Sequence, residues 1–155
     1  MASTEKIQQL LQELGPATPD IDAVVQTEEP SWAIQFSDET IIIIEPAEDP
    51  DRMVLSAELG SASDRFQLPI YETLLCYNLL WRDTGGVKIG LAGPKGELIM
   101  STEICLDGLL LGALQEGITA FAKLAKSWTS YVTSPDAQAA PPLPGMGAET
   151  LQLHA

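Results

Sequence analysis

Basic residues are scarce in this chain. Eight lysines and arginines stand against 22 aspartates and glutamates in 155 residues, a formal net charge of −14. Nucleic acids and anionic membranes are polyanions gripped through Lys/Arg patches, so this balance excludes both as direct partners. Cysteine is almost absent: Cys76 and Cys105 cannot build a disulfide framework, and with the single histidine, His154, they fall short of a four-ligand zinc site. Both cysteines have apolar neighbours (LLCYN and EICLD), and both are expected to be buried thiols in a reducing compartment. No apolar run approaches the roughly 20 residues of a membrane span. The opening MASTEKIQQLLQELG carries charges through its apolar pattern, unlike a signal peptide. A soluble, cytoplasmic protein is expected.

Catalytic signatures are missing too. Gly85-Gly86 and the Gly90–Gly93 stretch lack the strand-to-helix setting and the lysine of a phosphate loop. No serine sits in a nucleophile elbow, and His154 falls in the Pro/Ala-rich segment expected to be a flexible tail, so a triad is not expected. The acidic clusters Glu28-Glu29, Asp38-Glu39 and Glu48-Asp49-Asp51 fall at turns, where solvated loops are expected, and the EF-hand spacing is absent. We therefore expect no enzyme activity, no metal and no cofactor.

What the chain does hold is 45% hydrophobic residues, enough for the core of one domain. Between Thr4 and Leu14, Ile7, Leu10, Leu11 and Leu14 follow the i, i+3, i+4, i+7 spacing of one helical stripe, with Gly15-Pro16 as its stop. Residues 16–30 read as a connection with a short apolar patch at Ile21, Val24 and Val25. Trp32, Ile34 and Phe36 then alternate with polar or small residues, the period of a half-buried strand. Asp38-Glu39 turns the chain into TIIIIE, whose four isoleucines place apolar groups on both sheet faces, and Met53, Leu55, Ala57 and Leu59 line a third strand.

Pro69 to Trp81 reads as a helix with two stripes, Ile70/Leu74/Tyr77/Trp81 and Tyr71/Leu75/Leu79. A helix apolar on most of its circumference must be covered on more than one side. Val87, Ile89 and Leu91 alternate along a fourth strand, Gly93-Pro94-Lys95-Gly96 turns, and Leu98, Met100 and Thr102 alternate along a fifth. A last helix is expected from about Asp107 to Val132, with a stripe through Leu110, Leu114, Phe121, Ala125 and Trp128. The expected fold is thus α+β, in the order α-β-β-β-α-β-β-α, a two-layer sandwich on one antiparallel sheet. The domain covers residues 1–133; residues 134–155, rich in proline and alanine, read as a flexible tail.

One stretch combines charge and grease. Between Lys6 and Arg52 there is no basic residue, while ten acids from Asp20 to Asp51 fall there, alongside Ile41–Ile44. Apolar grooves framed by acid suit an extended peptide with hydrophobic anchors and basic flanks. An equally good account of the isoleucines is that the first helix and the 16–30 connection cover their second face.

Size, acidity, element order and two stretches carry a family resemblance. LPIYETLLCYNLLWRDTGGVKIGLAGPKGELIMSTEI and the closing CLDGLLLGALQEGITAFAKLAKSW helix resemble the CesT-like (Tir chaperone) group, the class I chaperones of bacterial type III secretion, over roughly Thr4 to Val132. The resemblance implies a cytoplasmic homodimer that binds an extended N-terminal segment of a secreted effector, without ATP, and keeps it soluble and secretion-competent. It implies a dimer interface at Ile70, Leu74, Leu75, Asn78, Leu79, Trp81, Val87 and Ile89. It also implies an effector-binding surface at Ile7, Leu10, Leu11, Leu14, Trp32, Ile34, Phe36, Ile41 and Ile43. Two other readings stay open on the residues alone: a non-enzymatic dimeric adaptor for a folded partner, and an enzyme using carboxylates such as Glu72 or Glu103.

Overall fold

In the computed structural model, which describes residues 2–28, 30–134 and 140–144, three helices pack on one antiparallel sheet. The elements run α1 (Ala2–Ala17), β1 (Ile21–Gln26), β2 (Trp32–Phe36), β3 (Ile41–Ala47), β4 (Arg52–Gly60), α2 (Gln67–Leu79), β5 (Lys88–Leu91), β6 (Leu98–Cys105) and α3 (Leu111–Thr133). The sheet has six strands in the order β1-β2-β3-β4-β6-β5, each pair antiparallel. The α+β two-layer architecture is the one the patterning implies, with one strand more.

That additional strand is β1, which replaces most of the expected 16–30 connection. Its alternation is interrupted by a register shift between Ile21 and Ala23, so a period-2 pattern never develops in the sequence. Asp22, the odd acid in it, accepts a hydrogen bond from the Ser37 hydroxyl at 2.9 Å. Helix boundaries move as well. α1 continues through Gly15-Pro16 to Ala17, since a proline in the last turn forfeits only terminal ladder bonds. α2 opens at Gln67 and ends at Leu79, leaving Trp81 beyond the helix. α3 starts at Leu111, with Leu110 in extended backbone at its N-cap and 74% exposed, so Leu110 is not part of the buried stripe.

One parity of each strand is buried and the other is not. Ile34 stands opposite Ile42, Ile44 opposite Leu55, and Ala57 opposite Met100, and all six side chains are buried on the face that carries the helices. α1 lies over β1 and β3 and touches α3, α3 crosses β4, and α2 lies beside β5. Ile7, Leu11 and Leu14 of α1 and Leu114, Ile118, Phe121 and Ala125 of α3 fill the layer between. Trp128 is wholly buried where the helices meet, edge-on to Tyr77 of α2 at 4.8 Å and to Tyr131 at 5.7 Å between ring centroids.

The expected tail lies largely outside the described residues. Of it, residues 134 and 140–144 are described, and Leu143 packs half-buried against the core. Both cysteines are exposed, contrary to expectation. Cys76 has apolar sequence neighbours, but it lies on the outer side of α2, and Cys105 closes β6 at the sheet's rim.

Candidate functional site

The helix-free face of the sheet is open. Across it, Val25, Ala33, Ile43, Ser56, Ser101 and Lys88 form one row through all six strands. Of these, Val25 is 53% exposed and Ile43 is half-buried, and Ile41, on the same side of β3, is 49% exposed. The isoleucine run is therefore divided by strand parity: Ile42 and Ile44 belong to the core, Ile41 and Ile43 to the open face.

Two clefts adjoin this part of the molecule. The first, about 520 Å³, lies between α1 and β1 and is lined by Gln8, Leu11, Gln12, Val24, Asp22 and Trp32 among others. β1 is an edge strand, so one row of its backbone donors and acceptors pairs with no other strand of the sheet. The second, about 650 Å³, exists because β3 and β4 pair only from Ile43↔Ser56 onward. Ahead of that pair the strands separate. Ile41 and Ile43 form one lip, Ala57 and Glu58 the other, and Ala125, Lys126 and Thr129 of α3 complete the lining. At its mouth the Thr40 hydroxyl and backbone N–H hold the Asp38 carboxyl below the usual carboxylate range, and Lys126, 3.2 Å away, adds to the effect.

The sequence-expected binding residues divide on burial. Ile7, Leu11, Leu14, Trp32, Ile34 and Phe36 have 0–5% exposure and belong to the core of the subunit. Their stripe is apolar because it holds α1 and β2 to the rest of the chain, so these side chains cannot meet a partner without opening the fold. Leu11 and Trp32 reach the wall of the first cleft but present little surface. Leu10, Ile41 and Ile43 are the ones left accessible. Sequence reasoning missed the edge strand β1, and the apolar patch at Val24 and Val25 was the available signal.

The expected interface residues divide too. Ile70, Leu74, Val87 and Ile89 are buried within the subunit, whereas Leu75 and Leu79 are each 70% exposed and Trp81 is 59% exposed. Leu68, 69% exposed, precedes Leu75 by seven residues and Leu79 by eleven, which places all three on one line of the helix surface. Asn78 is committed inside its own chain. Its Nδ2 donates to the Ile89 carbonyl at 2.7 Å, and the Ile89 N–H donates to its Oδ1 at 2.9 Å, clamping α2 to β5. Arg82 lies over the Trp81 ring at 5.1 Å. No helix among the described residues is long and apolar enough to cross a membrane.

No curated protein matches the sequence significantly. Solved structures share the fold. The HopA1–SchA chaperone–effector complex contains a chain similar at TM-score 0.67 and 15% identity, covering 84% of this chain and 98% of that one. The ExsC–ExsE complex contains one at TM-score 0.67 and 17% identity, covering 83% and 95%. The type III secretion chaperone SycH of Yersinia pestis, in complex with a fragment of YscM2, aligns at TM-score 0.58 and 14% identity, covering 81% and 98%. At these identities the likeness speaks for the fold: three helices on one face of an antiparallel sheet. A family model extends the agreement to the sequence from Ile7 to Thr129, nearly the whole folded body, and by that match the chain belongs to the Tir chaperone protein (CesT) family.

Proposed function

We propose that this protein is a type III secretion chaperone that holds an extended N-terminal segment of a secreted effector, working in the bacterial cytoplasm as a homodimer and without catalysis. Family membership supports the chaperone role. The observation that carries the binding mode is the free edge of β1 beside the α1/β1 cleft. An extended segment that pairs with that edge satisfies backbone groups on both chains, which gives affinity with little demand on sequence. Every second side chain of the added strand then points toward the cleft, where apolar residues bury area worth about 25 cal/mol per Å² before ordering costs. Leu68, Leu75 and Leu79 on α2, with Trp81 just past its end, support the homodimer, since a line of large exposed apolar groups invites a second copy.

Co-expression tests the reading. The first hundred or so residues of the secreted protein encoded beside this chain are expected to aggregate alone, to become soluble with it, and to co-elute from a sizing column. A segment that stays insoluble in its presence, or that is captured only when part of a folded domain, overturns the proposal.

A further inference from the structure

We propose that residues 140–144 form a displaceable strap, a ligand the chain supplies to itself, which keeps an apolar seat at the α2/α3 end of the subunit covered until a competing proline-rich segment takes its place. The inference goes beyond the chaperone reading and does not depend on it. The segment lies past Thr129, where the family match ends. Pro141, Pro142, Leu143 and Pro144 are each half-buried, and Leu143 packs against the core. Backbone chemistry suits these residues to an apolar seat. The three prolines have no N–H, and the remaining donor, that of Leu143, is satisfied within the segment by the Pro141 carbonyl at 2.8 Å. From Pro141 to Pro144 no amide hydrogen is therefore left unpaired on docking. Proline also fixes φ, and each residue ahead of a proline is restricted as well, so ordering the segment costs little entropy.

The exit of α3 places the seat. Thr133 packs against Gly60 at the end of β4, and the Tyr131 hydroxyl donates to Thr73 Oγ1 of α2 at 3.0 Å. Six residues carry the chain from Ser134 to Ala140, a reach of about 20 Å from that point. Within it stand Ala62, Phe66, Tyr71 and Tyr131, half-buried groups that pack, as Leu143 does, on the core. One half-buried leucine and three prolines make a weak contact, and the short tether compensates by presenting them at an effective concentration of the order of millimolar. A contact with a dissociation constant of about 0.1 mM is then closed about nine-tenths of the time, yet open often enough for a rival to enter.

Fluorescence anisotropy on the intact chain, with a labelled peptide of the segment's own sequence, AAPPLPG, tests this. Leu143→Ser empties the seat and is expected to bind the peptide about tenfold more tightly than wild type, the factor the tether supplies. A peptide with serine in place of its leucine should bind neither protein. Pro142→Ala with Pro144→Ala returns two amide donors and two free φ angles to the strap, and should give an intermediate affinity. Because the segment carries no charge, these affinities should be the same at low and high salt, unlike capture of a basic segment. Hydrogen exchange should be faster in Leu143→Ser than in wild type at the end of β4, the start of α2 and the last turn of α3, with β1 and β2 unchanged. Equal affinity of wild type and Leu143→Ser for the peptide, or no binding to either, overturns the strap. So does an exchange difference confined to β1 and β2.

Discussion

Tyr77 sits where α2 meets α3, and burial pushes its phenol above the ordinary value of 10.0, opposed in part by the Trp128 side chain beside it. A raised acid pKa means the folded state keeps its proton longer than the unfolded chain does. The associated stability is complete below pH 10 and is lost as pH rises through the folded-state value. Tyr77→Phe should therefore flatten the fall in stability above pH 10, measured by urea titration at pH 8 through 11 against wild type. Gly60 is another residue with a sharp constraint. Its φ of +90° is one that side chains rarely adopt, and an added Cβ would stand 2.9 Å from the Thr133 Cγ2. Gly60→Ala is expected to cost about 1–2 kcal/mol, read from the same denaturation midpoint.

At the scale of elements, α2 performs two tasks with opposite faces. Ile70, Leu74 and Tyr77 hold it to the subunit, while Leu68, Leu75 and Leu79 face away. Its attachment also depends on the Asn78 clamp, because β5 is a short edge strand with a partner only on the β6 side. Asn78→Ala removes both bonds and leaves the Ile89 N–H and C=O without them. A loss of about 1–3 kcal/mol follows, and hydrogen exchange should locate the loosening at β5 rather than at β1 or β2. The second stripe on α2 was legible in the sequence, as was the need for a cover on it. Which stripe faced inward was not, because periodicity identifies apolar faces without ordering them.

For the whole molecule, the proposed homodimer has its seam on the exposed line of α2. Leu75→Glu or Leu79→Glu places a carboxylate in an apolar seam, where desolvation without a partner is costly. Since both side chains are 70% exposed in the subunit, the fold itself should tolerate the change. Light scattering is expected to show a wild-type dimer and a folded monomer for either variant; a variant that remains dimeric moves the seam elsewhere. A net charge of −14 on each chain would keep the exposed apolar groups of such a dimer in solution and speed encounter with basic segments.

Much of this architecture was determined by the sequence itself. Alternation at Trp32–Phe36 and Met53–Leu59, the Gly93–Gly96 turn and the stripe through Leu114, Phe121 and Trp128 each depend on local periodicity, which survives folding unchanged. Tertiary structure decided what periodicity leaves open. It buried Ile7, Leu11 and Leu14 and left Ile41 and Leu75 in solvent, it exposed Cys76 amid leucines, and it made a strand of the bulged Ile21–Gln26 segment by pairing it with β2. It also parted β3 from β4 ahead of Ile43 and so opened a cleft that no residue pattern announces. Burial depends on which faces meet, and that is a property of the assembled layers, whereas helix and strand period are properties of the chain taken a few residues at a time.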